Sequence, residues 1–334
     1  MSTKIRGNLM LMLTAMIWGI SFVAQKSGIE LVGPMTFNGI RTLIGGCVLL
    51  PVIYVLGRKA KASDQNNQAS DGTMDPAVSA DPSEHDMASD PRRERKLLII
   101  GGICCGCILM VAGSLQQIGL IYTTAGKSGF ITALYVVLVP ICGLFMKKKI
   151  RPIIWLCVLA SATGLYLLCI PADGGFGHIN IGDFLTLLCA LCFTLHILVI
   201  DYFSPKVDGV KMSCIQFFVA GILGIILIPV IDPAFGYELP TLHMLLGVSV
   251  PILYSGLLSC GVAYTLQIVA QAKADPAIAS MILCLESVFA VLAGMLILKE
   301  SMSPRETFGC LIMFAAILVS QLPSKEERLQ AKEQ

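Results

Sequence analysis

The sequence predicts an all-α membrane protein with ten transmembrane helices, arranged as two inverted repeats of five helices. Three observations predict this fold class. Of the 334 residues, 55% are hydrophobic and only 14% are charged, whereas soluble domains carry roughly 25% charged residues. The chain also contains ten apolar runs that approach or exceed the ~20 residues of a spanning helix. Finally, the two halves of the chain match each other weakly, as is common in transporters.

The ten apolar runs are distributed over almost the whole chain. They cover residues 7–25, 34–56, 97–119, 125–146, 152–170, 181–201, 210–231, 243–270, 276–298 and 304–322. The first run follows Lys4 and Arg6, which is also how a signal peptide begins. The run is long and no small-residue cleavage site follows it, so we expect a retained first helix.

The basic residues predict the orientation, since Lys and Arg collect in cytoplasmic loops. They precede the first helix, flank the loop after the second, fill the turn after the fourth and occupy the tail: Lys4, Arg6, Arg58, Lys59, Lys61, Arg92, Arg93, Arg95, Lys96, Lys147, Lys148, Lys149, Arg151, Lys325, Arg328 and Lys332. With ten spans, all these segments lie on one face. Both termini are therefore expected in the cytoplasm, and the cell (plasma) membrane is the expected location.

The predicted division of the chain is a first repeat over 1–170, a second over 171–322 and a cytoplasmic tail over 323–334. Two offsets relate the repeats. At an offset of 151, Leu115, Gln116, Ile131, Leu134, Val137, Gly143 and Lys148 recur as Leu266, Gln267, Ile282, Leu285, Val288, Gly294 and Lys299. At 175, Ala15, Trp18, Ile40 and Gly46 meet Ala190, Phe193, Ile215 and Gly221. Because five helices is an odd number, the second repeat enters the membrane from the opposite side.

The 24-residue difference between the two offsets falls where the first repeat carries a polar insertion, residues 60–95. This segment is rich in Ser, Asp, Asn and Pro and nearly lacks large apolar residues. Such a composition buries too little apolar surface to fold alone. We expect a disordered cytoplasmic loop here.

Several motifs resemble those of the drug/metabolite transporter superfamily, and specifically those of its EamA-type permeases. They are AMIWGISFVAQK, FNGIRTLIGG, TTAGKSGFITALYVVLVP and MILCLESVFAVLAGMLILKE, in the first, second, fourth and ninth helices. The resemblance implies a central cavity lined by the first four helices of each repeat, with the fifth helix peripheral. It does not imply one substrate, because members move many small solutes. The sequence departs from the pattern in the polar loop and in ESVFAVLAG, which lacks the proline that often follows the glutamate.

Glu286 is the main candidate functional residue. It lies in the middle of an otherwise uncharged apolar run. A charge near the bilayer centre costs about 3 kcal/mol by insertion scales, so it is expected to face a cavity or a partner. In the functional interpretation Glu286 binds a cation or carries a coupled proton. In the structural interpretation it forms a hydrogen bond between helices.

Other candidates are polar or aromatic residues inside the spans. Arg41 is expected either to hold an anionic group, to pair with Glu286, or to snorkel to an interface. Lys127, at the start of the fourth helix, either attracts anionic solutes at the opening of the cavity or snorkels to the interface. His196, in the middle of the sixth helix, either relays protons or donates a hydrogen bond to a neighbouring backbone. The remaining candidates for substrate binding are Gln116, Gln216, Gln267, Trp18, Tyr135 and Tyr264. At the two offsets, Gln216 matches Arg41 and Tyr135 matches Glu286.

These patterns favour a secondary transporter of a small metabolite, amino acid or drug-like solute. The expected partners are the solute, a coupled proton and the lipid bilayer, with no nucleic acid; homodimerisation is left open.

No cofactor, metal ligand or catalytic residue is predicted. The 13 cysteines lie in apolar spans, where cysteine behaves as a small hydrophobe. GKS at 126–128 lacks the preceding glycine of a phosphate loop, because Ile121 stands there. The alternatives are an intramembrane hydrolase, pairing Ser128 with His196, and a scaffold without transport activity.

Overall fold

The computed structural model describes residues 3–71, 91–123, 125–146, 150–169, 181–272, 274–293, 296, 303–320 and 322. These residues are mainly helical. The helices are α1 (Thr3–Gly28), α2 (Pro34–Asp71), α3 (Pro91–Tyr122), α4 (Ala125–Ala133), α5 (Tyr135–Phe145), α6 (Pro152–Cys169), α7 (Ile181–Phe203), α8 (Gly209–Ala234), α9 (Leu242–Gly247), α10 (Ser249–Leu253), a π-helical segment (Tyr254–Tyr264), α11 (Thr265–Gln271), α12 (Pro276–Leu283), α13 (Glu286–Ala293) and α14 (Pro304–Ser320).

The helices account for ten apolar segments. Within the described residues, eight segments are long and apolar enough to cross a membrane. Two further apolar helices are shorter, over Pro152–Leu167 and Thr307–Ser320. Each coincides with one of the ten predicted runs, and the all-α fold class predicted from the sequence is confirmed.

Helices extend into both ends of the segment predicted as a disordered loop, residues 60–95. Helix α2 continues to Asp71 and α3 already begins at Pro91. The first part of the segment contains Ala, Lys and Gln, which have high helix propensity and prolong a helix that has already nucleated. Residues 72–90, the central part of that prediction, lie outside the described residues, and so do 323–334, the predicted tail.

The fourth and ninth membrane segments are each broken at the same place of the repeat. Leu134 separates α4 from α5, and Cys284 and Leu285 separate α12 from α13. At both breaks the backbone forms a tighter bond to the third preceding residue: Leu134 N–H donates to Ile131 O and Leu285 N–H to Ile282 O, each at 3.2 Å. Leu285 follows Leu134 by the repeat offset of 151.

The break in the ninth segment does not depend on a proline. Pro140 lies inside α5, where its ring and its missing N–H disturb the preceding turn. The second repeat has Val291 at the equivalent position, and its helix breaks nonetheless. The sequence left open how this helix bends; the structure shows a tight turn at Cys284 and Leu285.

The contacts between helices recur when each helix is replaced by its equivalent in the other repeat. Helix α2 packs on its equivalent α8, and α6 packs on its equivalent α14. The packing of α3 on α7 recurs as the packing of α1 on α10, the π-helical segment and α11. The packing of α1 on α12 and α13 recurs as that of α7 on α4 and α5. This exchange is the signature of a pseudo-twofold axis, which passes between α2 and α8.

Two glycines show the twofold exchange at the level of single residues. A Cβ on Gly46 would lie 3.3 Å from the Phe218 ring, and a Cβ on Gly221 would lie 2.6 Å from the Leu43 side chain. Gly221 follows Gly46, and Phe218 follows Leu43, by the same 175 residues. The missing Cβ atoms allow α2 and α8 to approach closely, as small residues do in membrane helix pairs.

A carboxylate joins the two repeats at the end of the bundle where α8 ends and α2 begins. Asp232 is fully buried and accepts hydrogen bonds from Met35 N at 2.8 Å, Thr36 N at 3.0 Å and Thr36 Oγ1 at 2.6 Å. These backbone groups are the unpaired donors of a helix N-terminus. Asp232 thus caps α2 from the other repeat, although it lies 196 positions from Thr36 in sequence.

We expect Asp232→Ala to lower the free energy of unfolding in detergent by about 2 kcal/mol, because it leaves several buried donors of α2 without an acceptor. Asp208→Ala is the matched control: Asp208 caps α8 at an exposed position, and its loss should cost about 1 kcal/mol. Chemical denaturation of both variants measures the difference. Equal losses in the two variants would contradict the role of Asp232 in joining the repeats.

Gly19 is predicted to be intolerant of a side chain, because α1 crosses α13 there. A Cβ on Gly19 would lie 2.6 Å from both Glu286 O and Phe289 Cβ. Gly19→Ala should therefore destabilise the protein by about 1–3 kcal/mol through overpacking.

Gly129, in α4, is the matched control because a Cβ there meets no atom of the described residues within 4 Å. Gly129→Ala should raise stability by roughly 0.5–1 kcal/mol through helix propensity alone. Thermal unfolding of both variants checks the opposite signs, and a stable Gly19→Ala variant would refute the close crossing.

Candidate functional site

A cavity lies between the two repeats at the level of the helix breaks. Its empty volume, including space open to solvent, is about 480 Å³. The lining side chains are Trp18, Ser21, Phe22, Gln25, Arg41, Gln116, Thr132, Tyr135, Phe193, Ile197, Ser259, Tyr264, Gln267, Leu283 and Glu286. Helices α6 and α14, the fifth of each repeat, supply none of them.

Most of the lining consists of residues that the repeat relates to each other. The pairs are Trp18 with Phe193, Phe22 with Ile197, Gln116 with Gln267, Thr132 with Leu283, and Tyr135 with Glu286. A cavity lined by both members of five such pairs lies on the pseudo-twofold axis. That is where repeat-built transporters hold their solutes.

Glu286 and its repeat partner Tyr135 are hydrogen-bonded to each other across the axis. The Tyr135 hydroxyl donates to Glu286 Oε1 at 3.0 Å, and both side chains are buried. The two residues are the first of α13 and α5, the helices that follow the two breaks. The two breaks thus place a phenol and a carboxyl group at equivalent positions of the two repeats.

Arg41 enters the cavity wall from α2. Its Nε and Nη2 donate to Asn38 Oδ1 at 3.1 and 2.9 Å, and its Cζ lies 5.7 Å from the centre of the Phe37 ring. No carboxylate among the described residues lies within 4 Å of the guanidinium. The Arg41–Glu286 ion pair considered from the sequence is not formed, and Arg41 is 6% exposed, so it does not snorkel into solvent.

Trp18 and Tyr264 form the aromatic wall of the cavity. Their ring centres are 4.5 Å apart, and Trp18 Nε1 donates to Ser259 O at 3.3 Å. Ser259 and Tyr264 both belong to the π-helical segment, a geometry that is frequent at functional sites. Two further bonds join this segment to α1: Thr14 Oγ1 donates to Ala263 O at 3.0 Å, and the Tyr254 hydroxyl donates to Ile17 O at 3.1 Å.

The structure brings together seven of the ten candidate residues in the cavity wall. His196 and Gln216 do not line the cavity; His196 Nε2 lies 3.1 Å from Gln216 Oε1, so the two form a buried pair. The Lys127 side chain lies outside what the structure describes. The roles of all ten residues in binding stay predictions.

Four polar lining residues were not among the candidates: Ser21, Gln25, Thr132 and Ser259. Ser21 and Gln25 follow Trp18 at helical spacing, so a polar stripe on α1 was the signal that could have revealed them. Thr132 and Ser259 carry no such signal. Their positions depend on the break after α4 and on the π-helical segment, which the sequence pattern does not reveal.

Ser128 and His196, the pair considered for a hydrolase, are not hydrogen-bonded to each other. The Ser128 hydroxyl is buried and has no hydrogen-bond partner among the described residues, while His196 is bonded to Gln216. A Ser–His nucleophile requires the two side chains within hydrogen-bond reach. Among the described residues, no group of three or more His, Cys, Asp or Glu could hold a metal ion.

Comparisons with known proteins agree with this architecture. A curated relative from Archaeoglobus fulgidus, described as an uncharacterized transporter, is 29% identical over 321 residues, which is 95% of this chain and 86% of the relative. A solved crystal structure superposes with a TM-score of 0.69 at 15% identity, covering 94% of this chain and 96% of the other, which shows a common fold.

The family comparison follows the two repeats. The model of the EamA-like transporter family matches residues 5–170 and again residues 180–321. The two matched segments coincide with the halves that the helix packing relates by the pseudo-twofold axis. The resemblance recognised in the sequence is thus confirmed, and the chain, a multi-pass membrane protein, belongs to the EamA-like transporter family.

Proposed function

We propose that this protein is a secondary transporter that moves a small polar solute by alternating access and that Glu286 is its ionising group. The observation that carries the proposal is the cavity on the pseudo-twofold axis, which contains a carboxylate and an arginine that are not paired with each other. The Archaeoglobus fulgidus relative, described as a transporter, supports the general activity. The solute, the direction and the proton coupling belong to the proposal.

The charged and polar side chains of the cavity wall indicate which chemical groups the solute must carry. Arg41 is held by Asn38, which is neutral, so its charge is free to be matched by an anionic group. The amide groups of Gln116 and Gln267 lie in opposite repeats; Gln116 Nε2 donates to Thr132 Oγ1 at 3.3 Å, whereas Gln267 Oε1 is buried without a partner among the described residues. A buried acceptor without a donor costs free energy, and a solute donor would relieve it.

The helix breaks provide the means to change conformation. Alternating access requires one repeat to move against the other around a fixed site. The tight turns at Leu134 and at Cys284–Leu285 divide the fourth and ninth segments at the level of the cavity. The hydrogen bond between Tyr135 and Glu286 joins the two breaks. A solute donor that engages Glu286 Oε1 competes with the Tyr135 hydroxyl for that atom, so solute binding and movement of the two breaks are linked there.

The solute is best identified by comparing the metabolites of cells that overexpress the protein with those of cells that lack it. The compound whose distribution changes is then tested in proteoliposomes with and without a pH gradient. Accumulation that follows the gradient would support proton coupling. Transport that occurs only with ATP hydrolysis by the purified protein would overturn the proposal.

Glu286→Gln should abolish gradient-driven transport while leaving the melting temperature near that of the wild type. The amide preserves the shape and accepts the bond from Tyr135, but it cannot ionise. Tyr135→Phe is the matched control, since it removes the hydrogen bond that the Gln variant keeps and leaves the carboxylate in place. It should reduce transport without abolishing it. Full activity of Glu286→Gln would show that Glu286 joins helices and does not carry charge.

We further propose that both termini lie in the cytoplasm of a cell whose plasma membrane holds the protein. The excess of Lys and Arg on one face supports this orientation. A single cysteine at position 75, in a background without other cysteines, should react with a membrane-impermeant maleimide only after the cells are opened. A cysteine at Glu238, in the turn after α8, is the control and should react in intact cells. The reverse pattern would overturn the orientation.

A further inference from the structure

One of the departures of the cavity from twofold symmetry is a large side chain, Tyr264. The residue that the repeat relates to Tyr264 is Gly113 in α3. A Cβ on Gly113 would lie 2.8 Å from Asn38 Oδ1, so the glycine leaves room for the Asn38 side chain that holds Arg41. In the second repeat the same position carries a phenol ring. In the first repeat the polar side chains therefore reach the cavity, whereas in the second repeat the Tyr264 ring covers the equivalent side chains.

The residues behind Tyr264 are the repeat partners of residues in the cavity wall. His196 is the partner of Ser21, and Gln216 is the partner of Arg41. Both Ser21 and Arg41 line the cavity, whereas neither His196 nor Gln216 does. The His196 ring packs edge-on against Tyr264, with ring centres 5.9 Å apart, and against Phe193 at 6.5 Å. Tyr264 and Phe193 both line the cavity and therefore separate it from His196.

The covered pair has unused hydrogen-bonding capacity. Gln216 Oε1 can only accept, so His196 Nε2 donates to it and His196 Nδ1 is left as an acceptor. His196 Nδ1 and Gln216 Nε2 are both buried and have no partner among the described residues. Side chains that are 1% and 0% exposed rarely leave such groups unsatisfied, because each costs free energy. The pair offers one acceptor and one donor group to a neutral ligand.

We propose that Tyr264 is a gate over a second subsite of the cavity, formed by His196 and Gln216, which binds a neutral hydroxyl or carboxamide group of the solute when the phenol ring moves aside. The subsite deepens the proposed transport function, on which it rests. It lies across the pseudo-twofold axis from Arg41, so the wall offers a charged end and a neutral polar end. A solute that carries an anionic group and a neutral polar group fits both.

Tyr264→Ala tests the gate, with diethyl pyrocarbonate as the probe and peptide mass spectrometry as the readout. The reagent modifies accessible imidazoles. His196 should react at least about tenfold faster in Tyr264→Ala than in the wild type, where a buried group reacts only after local opening. Tyr264→Phe preserves the ring, so His196 should be modified at the wild-type rate in this variant. His243, which is exposed, is an internal reference that should react equally in all variants.

The ligand chemistry is tested by protection of His196 with isobutyramide, a neutral carboxamide. It should slow the modification of His196 in Tyr264→Ala and should have no effect in the double variant Tyr264→Ala/Gln216→Leu. If Tyr264→Ala does not fold, Tyr264→Val permits the same comparison. An unreactive His196 in a folded open variant would overturn the gate, and equal protection in the single and double variants would overturn the subsite.

The labelling does not require transport, so it separates the two proposals. A reactive and protectable His196 in a protein that moves no solute in proteoliposomes would support the subsite and contradict the transport function. Proton-driven transport with an unreactive His196 would support the transport function and contradict the gate.

Discussion

The hydrogen bond between Tyr135 and Glu286 connects the main features of the structure. It spans the pseudo-twofold axis, it joins residues that the repeat relates to each other, and each partner begins the helix after a break. A carboxylate in a membrane interior is costly to insert, and this one accepts a hydrogen bond from the Tyr135 hydroxyl. The cavity lies around this bond, since the broken helices carry polar groups to the middle of the bundle.

The twofold packing explains why such a site forms, and departures from the twofold explain what it can bind. Reciprocal contacts such as Gly46 with Phe218 and Gly221 with Leu43 bring equivalent residues to opposite sides of one cavity. A strictly symmetric wall would present the same chemistry twice. Here the equivalent positions hold Arg41 and Gln216, Tyr135 and Glu286, and Gly113 and Tyr264. The cavity consequently has one cationic wall, one carboxylate and one side covered by a ring.

Inter-repeat polar contacts at the ends of the bundle have a different character from those in the cavity. Asp232 satisfies three donors of α2 at once, and Thr123 Oγ1 donates to Asp183 Oδ1 at 2.8 Å between α3 and α7. These side chains have ample partners and stabilise the fold. The side chains in and behind the cavity wall, such as Gln267, His196 and Gln216, retain unused donors or acceptors.

The ten apolar segments, the two halves and the isolated position of Glu286 were predictable from the order of residues, because membrane insertion imposes length and hydropathy on every span and leaves a buried charge conspicuous. The residue order also related Tyr135 to Glu286 and Arg41 to Gln216, since the repeat is a property of that order. The folded arrangement was needed to show that Tyr135 and Glu286 are bonded, that the ninth segment breaks without a proline, and that Tyr264 covers His196. The reason is that these features depend on how helices far apart in sequence rotate and approach each other. Hydropathy requires a span to lie within the membrane, but it does not specify which face of the helix lines the cavity.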